Sequence, residues 1–347
     1  MMKSKAKYQL LFLSACFLFQ LSCNKTDPEI PSAEDDIVLV IPEGFPPPVY
    51  DFQFNPLTRE GFELGRKLFY DPILSKDNSI SCASCHQQFA AFSHLEHPLS
   101  HGIYGLLGTR NTPGMFNLIW QQDLMWDGGV HNLEIQPLAP ITNPVEMDET
   151  LAGVLAKLNA HPVYPGLFED AFGNDSITSQ YFFKAMAQFT GMLISARSKF
   201  DLYEQGKASF TTAEKNGLQL FRQKCEGCHQ EPLFTDFSYR NNGIDSMFAD
   251  SGRAKITFVP DDLGKFKVPS LRNIELTFPY MHDGRYEKLD DVISHYRNGI
   301  KYAANLDTLL LQSIPMTDEE QSDIIAFLKT LSDHNFTSDT RFGKPAP

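Results

Sequence analysis

Cys82-Ala83-Ser84-Cys85-His86 and, more than a hundred residues later, Cys225-Glu226-Gly227-Cys228-His229 decide how this 347-residue chain is read. Both have the C-x-x-C-H pattern that attaches c-type haem. Two thiols a helical turn apart add to the vinyl groups of the porphyrin, and the adjacent imidazole lies under the iron as proximal ligand. Cys82, Cys85, Cys225 and Cys228 are therefore assigned to covalent attachment of two haems, and His86 and His229 to the two irons. Other uses of such pairs fit less well. A thioredoxin-like redox pair needs a βαβ context that the sequence lacks, and zinc ribbons hold their two pairs about 15 to 20 residues apart. Structural disulfides in an oxidising compartment are the remaining alternative.

The surroundings of the two motifs match. Gly65-Arg66-Lys67-Leu68-Phe69 precedes the first and Gly217-Leu218-Gln219-Leu220-Phe221 the second, each as the tail of a helical pattern, which reads as an internal duplication. Thr211 with Glu214, and Thr317 with Glu320, have the spacing of a capping box at a helix start. Ile324, Phe327, Leu328 and Leu331 then form one apolar stripe, suited to the closing helix of a cytochrome c fold. A second long helical pattern runs from about Ser179 to Tyr203 through Phe182, Met186, Phe189, Leu193 and Phe200. The sequence thus predicts an all-α protein of two cytochrome c-like haem domains in tandem, residues 51–205 and 206–347, with the boundary near Gly206.

Composition sets the outer limits. Apolar residues at 42% and charged residues at 21% are the proportions of a folded globular chain, not of a disordered one. Thirty Lys and Arg against 43 Asp and Glu, a formal charge of -13, exclude a nucleic-acid binder that tracks phosphates through a basic face, and favour a basic protein partner. At the start, Lys3, Lys5 and Lys7 precede an apolar stretch from Tyr8 to Ser22, too short for a spanning helix of about 20 residues and patterned as an export signal. Its end, Leu21-Ser22-Cys23-Asn24, resembles a bacterial lipoprotein signal, so residues 1–22 are read as removed, with Cys23 as the lipid-anchored start of a periplasmic protein. Pro28, Pro31, Pro42, Pro46, Pro47 and Pro48 make residues 23–50 a tether, although the run Ile37-Val38-Leu39-Val40-Ile41 is apolar enough to pack on the body instead.

Further stretches carry a family likeness. Gly108-Thr109-Arg110-Asn111-Thr112-Pro113, Met125-Trp126-Asp127-Gly128-Gly129 and Gln136 through Asn143-Pro144-Val145-Glu146-Met147 lie between the motifs, with Phe266 to Asn273 and Pro279-Tyr280-Met281-His282-Asp283-Gly284 beyond them. In this order and spacing they resemble the bacterial di-haem cytochrome c peroxidase family, MauG-type enzymes included, from about Asn55 to Leu331. The resemblance implies that the His86 haem reacts with hydrogen peroxide, that the His229 haem relays electrons from a small redox protein such as a cytochrome c, and that the enzyme is a homodimer. It makes Glu146 the catalytic acid/base, Gln136 its companion amide and Trp126 the residue between the haems. A carboxylate near the distal face suits heterolysis, which needs one group to take a proton from the inner oxygen of a peroxide and give it to the leaving oxygen.

The resemblance further implies a calcium ion at Asn111, Thr277 and Pro279, whose oxygens suit a hard cation. Two axial positions depart from, or test, the family pattern. Where classical members carry a Met on the electron-transferring haem this chain has Tyr296, as MauG-like proteins do, with Met281 and His295 as neighbouring alternatives. A tyrosine oxygen stabilises ferric iron, whereas Met raises the potential. His101, flanked by His94 and His97, matches the loop histidine that blocks the resting peroxidatic iron in classical members. A MauG-like oxidase of a protein or organic substrate and a non-catalytic electron carrier are the alternative functions.

Overall fold

The computed structural model describes residues 37–346, and the export signal, Cys23 and the first part of the Pro-rich stretch lie outside the described residues. Twelve α-helices carry the described chain. α1 (Arg59–Tyr70), α2 (Cys82–Cys85), α3 (Leu138–Thr142), α4 (Leu151–Ala160), α5 (Tyr164–Phe172) and α6 (Ser179–Gly191) come first. α7 (Lys199–Glu204), α8 (Thr212–Lys224), α9 (Ala254–Thr257), α10 (Leu289–Ser294), α11 (Asp318–Lys329) and α12 (His334–Ser338) follow. The only sheet among the described residues is one short antiparallel ladder, β1 (Tyr239–Arg240) on β2 (Phe266–Lys267), with Tyr239 opposite Lys267.

Two apolar cores organise these helices, and the duplication seen in the sequence is repeated in their packing. In the first, α1 lies on α6 and buries Phe62, Leu68 and Phe69 against Phe182 and Phe189. In the second, α8 lies on α11 and buries Leu218 and Phe221 against Ile324, Phe327 and Leu331. Glycine makes both crossings possible. A Cβ on Gly65 would collide with the carbonyl oxygen of Ala185, and one on Gly217 with that of Asp323. The Thr211 and Thr317 capping boxes are both formed, so α8 and α11 start where the sequence places them.

Gly217→Ala tests this close approach. Helix propensity alone would favour Ala by about 1 kcal/mol, but the added methyl meets both the Asp323 carbonyl and Phe327 Cβ, the latter at 2.7 Å. Overpacking costs typically about 1–3 kcal/mol. The expected result is a lower thermal midpoint with the second apolar core melting before the first, and an unchanged or raised midpoint would refute the account.

Two expectations are corrected. The helical pattern from Ser179 to Tyr203 is broken: α6 ends at Gly191 and α7 starts at Lys199. Between them the backbone turns to Asp333, whose Oδ2 accepts from Ala196 N (3.0 Å), Arg197 N (2.9 Å) and Ser195 Oγ (3.2 Å). Ser198 then caps α7 in a box with Asp201, and Phe200 joins the second core. Local polar bonds thus override an apolar periodicity that runs straight through. The second correction concerns residues 37–50, read as part of a tether: they lie on the body, as the alternative reading of Ile37 to Ile41 has it. Val49 N and Tyr50 N both donate to Ile119 O (2.8 and 2.9 Å), Trp120 Nε1 donates to Pro46 O (2.7 Å), and Ile37 and Leu39 pack on the first core. Phe45 meets the Trp120 ring edge-on at 5.1 Å and also covers the Arg272 guanidinium at 4.7 Å. Apolar residues interleaved with the prolines supply enough contact to hold an extended segment down.

Candidate functional site: two haem attachment sites and the bridge between them

α2 places Cys82 and Cys85 one turn apart, and all four cysteines of the two motifs are free thiols. Each motif histidine is held in the same way. His86 Nδ1 lies 2.6 Å from the carbonyl of Phe92, and His229 Nδ1 lies 3.1 Å from that of Phe234. A carbonyl only accepts, so Nδ1 carries the proton and Nε2 keeps its lone pair for a metal. Burial lowers both imidazoles, His86 to about 4, which favours the neutral form that a metal ligand requires. Phe92 and Phe234 sit at φ 58° and 55°, a left-handed conformation that aims each carbonyl back at its histidine. Such backbone costs on the order of 1 kcal/mol or more in a bulky residue and persists only where surrounding packing enforces it. Paired cysteines at this spacing beside carbonyl-locked histidines fit two covalently held haems.

Beside the first motif is a partly open cavity lined by Cys82, Cys85, His86, Gln136, Pro140 and Glu146 among others. The structure therefore brings Glu146 and Gln136 together with the first attachment site. Glu146 is set by the turn after α3. Asn143 Oδ1 accepts from Val145 N (3.2 Å), an Asx turn, while Asn143 Nδ2 donates to Glu146 Oε1 (2.7 Å). Gly102 closes over this turn: Ile103 N donates to Glu146 O (2.7 Å), and a Cβ on Gly102 would strike Val145 O. Burial raises the Glu146 carboxyl above the usual carboxylate range, and the Asn143 bond opposes it. Gln136 Nε2 lies 4.0 Å from Met125 Sδ, next to Trp126 in the chain.

His101 is placed differently. Ser100 and Gly102 line the cavity, while the His101 ring is exposed and meets His97 edge-on at 5.0 Å, with His97 stacked on His94 at 4.2 Å. Among the described residues no group of three or more His, Cys, Asp or Glu side chains is placed to hold a metal ion.

At the second motif, Tyr296 stands within electrostatic reach of Cys225 and Cys228 and beside the Asn242 side chain. Burial pushes its phenol up to about 12, with the Asn242 side chain opposing. It occupies the π-helical turn His295–Gly299 that continues α10, a geometry frequent at functional sites. His295 is buried with Nε2 on Asn242 O (3.0 Å), so that nitrogen is already used. Met281 Sδ lies 3.6 Å from Asn242 Nδ2.

Trp126 is gripped from both halves of the sequence. Its Nε1 donates to Asn111 O (2.8 Å), and its carbonyl accepts from Lys267 N (2.8 Å). Asn111 N in turn donates to His282 O (2.8 Å), and the His282 ring stacks on Phe266 at 3.8 Å. Arg110 lies over Phe266 and pairs with Asp127 (2.6 Å) and bidentately with Asp250 (2.6 and 2.8 Å). Lys267 is buried, its ammonium held by Gln121 Oε1 (2.6 Å) and Asp123 O (2.7 Å) and lowered by burial to about 7. Asn111 turns Nδ2 to the carbonyls of His97 (3.3 Å) and Pro98 (3.1 Å), which directs Oδ1 away from them. Thr277 and Pro279 lie in the turn before Tyr280.

Sequence reasoning passed over Asn242, the Arg110 and Asp250 pair, and the carbonyls of Phe92 and Phe234. Only the last had a signal, a Phe five or six residues beyond each motif histidine.

A helix-rich chain with two C-x-x-C-H turns, each backed by a carbonyl-locked histidine, defines a di-haem c-type cytochrome. Residues 59–209 match the family model of the di-haem cytochrome c peroxidases. The chain is 37% identical over 299 residues to the methylamine utilization protein MauG of Methylorubrum extorquens, covering 84% of this chain and 82% of that one. It is 34% identical to a cytochrome c551 peroxidase of Nitrosomonas europaea, over 78% of this chain and 79% of that one. The chain belongs to the di-haem cytochrome c peroxidase family. Among solved structures it is similar to a MauG-like protein associated with microbial copper homeostasis, with a TM-score of 0.82, 34% identity, and coverage of 88% of this chain and 98% of that one.

Proposed function

We propose that this protein is a peroxidase that reduces hydrogen peroxide at the His86 haem with electrons entering through the His229 haem. The observation that carries the reading is the cavity shared by Glu146, Gln136, Cys82, Cys85 and His86. When bound, the haems supply the iron at which the O–O bond breaks and the store for the electrons. The protein residues do the rest. Glu146, as carboxylate, takes a proton from the oxygen nearer the iron and delivers it to the leaving oxygen, while the Gln136 amide orients the peroxide. Two electrons and two protons convert one peroxide to two waters. Met147, Met186 and Phe69 keep the remaining wall apolar, which limits competing water.

Trp126 is proposed as the relay. Its indole donates to Asn111 O and its backbone carbonyl accepts from Lys267 N, which ties the residue to both halves of the chain and supports a role in which orientation matters. Trp126→Phe is expected to slow electron passage between the haems several-fold, read by rapid reduction of the second haem and the optical trace of the first. An unchanged trace would remove Trp126 from the path.

Whether the first site reacts with peroxide without prior reduction turns on His101, and Tyr296 beside the second motif supports a second reading. In that reading the oxidising equivalents are withdrawn from a protein or organic substrate instead of a cytochrome. One equivalent of peroxide added to the fully oxidised holoprotein tests the first point: immediate spectral change supports an open site, and reaction only after half-reduction returns His101 to the iron. Consumption of two reduced cytochromes per peroxide decides for the peroxidase. We further propose calcium held by oxygens of Asn111, Thr277 and Pro279 with waters, a lipid anchor at Cys23 on the periplasmic side of a membrane, and a homodimer.

A further inference from the structure

Asn242 belongs to no motif, yet three potential axial donors meet at it. Its side chain faces Tyr296, and its Nδ2 lies 3.6 Å from Met281 Sδ. Its Oδ1 accepts from Ile244 N (3.2 Å), which orients the carboxamide so that the amide hydrogens face the other two groups. Its backbone oxygen occupies His295 Nε2 at 3.0 Å. The residue itself has little freedom. Gly243 follows at φ 71°, its carbonyl accepts from Lys301 N (2.7 Å), and a Cβ there would press on Ile300 and Leu306. Met281 is equally constrained, at φ 73°.

We propose that Asn242 is a positioning residue that selects the axial donor of the second haem, holding the Tyr296 oxygen in place while its amide engages the Met281 sulfur and its carbonyl removes His295. The proposal rests on the reading of Tyr296 as the donor. Without the amide, the thioether is no longer engaged and competes with the phenol oxygen. Were the thioether to replace the phenol oxygen as the donor to the second haem, the released oxygen would take a proton from water and no electron would be gained or lost. Sulfur ligation favours ferrous iron and tyrosine oxygen ferric iron, so the exchange has a redox signature.

The test uses the holoprotein with both haems, comparing wild type with Asn242→Leu and with Asn242→Ser, which withdraws the amide without adding bulk. Expected for either variant are a sulfur-to-iron charge-transfer band in the far red of the ferric spectrum, a changed second-haem EPR signal, and a positive shift of that haem's potential. The band should vanish again when Met281→Leu is added. The first haem's spectrum reports whether the fold is intact. Variants whose second-haem spectrum and potential match wild type would overturn the proposal. Tyr296→Phe runs alongside: if it too leaves the second haem unchanged, the Tyr296 reading itself fails, whereas a change there with none at Asn242 refutes only the selection role.

Discussion

Glu146→Gln is expected to lower peroxide turnover by roughly 10²- to 10⁴-fold, the range that a positioned acid/base group contributes. Gln keeps the shape and can still accept from Asn143 Nδ2, which lies 2.7 Å from the Glu146 oxygen, but it cannot carry the proton between the two peroxide oxygens. Binding of peroxide should therefore change less than its cleavage. The pH profile has a fixed sign. The competent form is the carboxylate, and burial raises the Glu146 carboxyl above the usual range. Wild-type activity should accordingly climb as pH rises through that raised value, later than an ordinary glutamate would allow, and the variant should be flat there. Stopped-flow peroxide consumption at matched haem content measures both. A variant with near-wild-type turnover would take the proton-transfer role away from Glu146.

The largest stability effect is expected at Asp201. Arg272 is fully buried, and its Nη1 and Nη2 donate to the two Asp201 oxygens at 2.9 and 2.8 Å, while Nε donates to Pro232 O at 2.8 Å. The same carboxylate accepts from Ser198 N and Ser198 Oγ, both at 2.8 Å, and so starts α7. Asp201→Ala leaves a guanidinium in the interior with no counter-charge on that side. Breaking one partner of a buried pair costs about 3–5 kcal/mol, a fall in thermal midpoint on the order of 5–15 °C for a chain of this size. The double variant Asp201→Leu with Arg272→Met should recover a good part of the loss, because the desolvation penalty disappears with the charge. Calorimetry of the three proteins tests this, and a single variant as stable as wild type would show that the pair is dispensable.

Motif-level features were legible because their chemistry is local. Two thiols and a histidine must be adjacent in sequence to meet one haem, so Cys82 to His86 and Cys225 to His229 declare themselves. Capping boxes at Thr211 and Thr317 are equally local. Glu146 and Gln136 needed family likeness, since a carboxylate and an amide ten residues apart have no spacing rule of their own. What could not be read were contacts closed across long separations. Asp333 interrupting the helix pattern at Ala196, Arg272 reaching Asp201, and Asn242 facing Tyr296 depend on where distant turns bring single polar atoms. The Pro-rich segment misled for another reason: its prolines predict extension correctly, but extension is compatible with lying on a surface, and Phe45 decides between the two.

One connection changes how the chain must be assembled. Phe336 and Phe342 belong to the first apolar core, and Tyr70 and Arg66 of α1 hold the carbonyls of Phe342 and Arg341. Gln88, two residues past the first haem histidine, bonds the carbonyl of Asp339 at 2.7 Å. The first core is thus closed by residues that lie beyond the second in sequence. It is complete only once the whole span from α1 to Phe342 has been made.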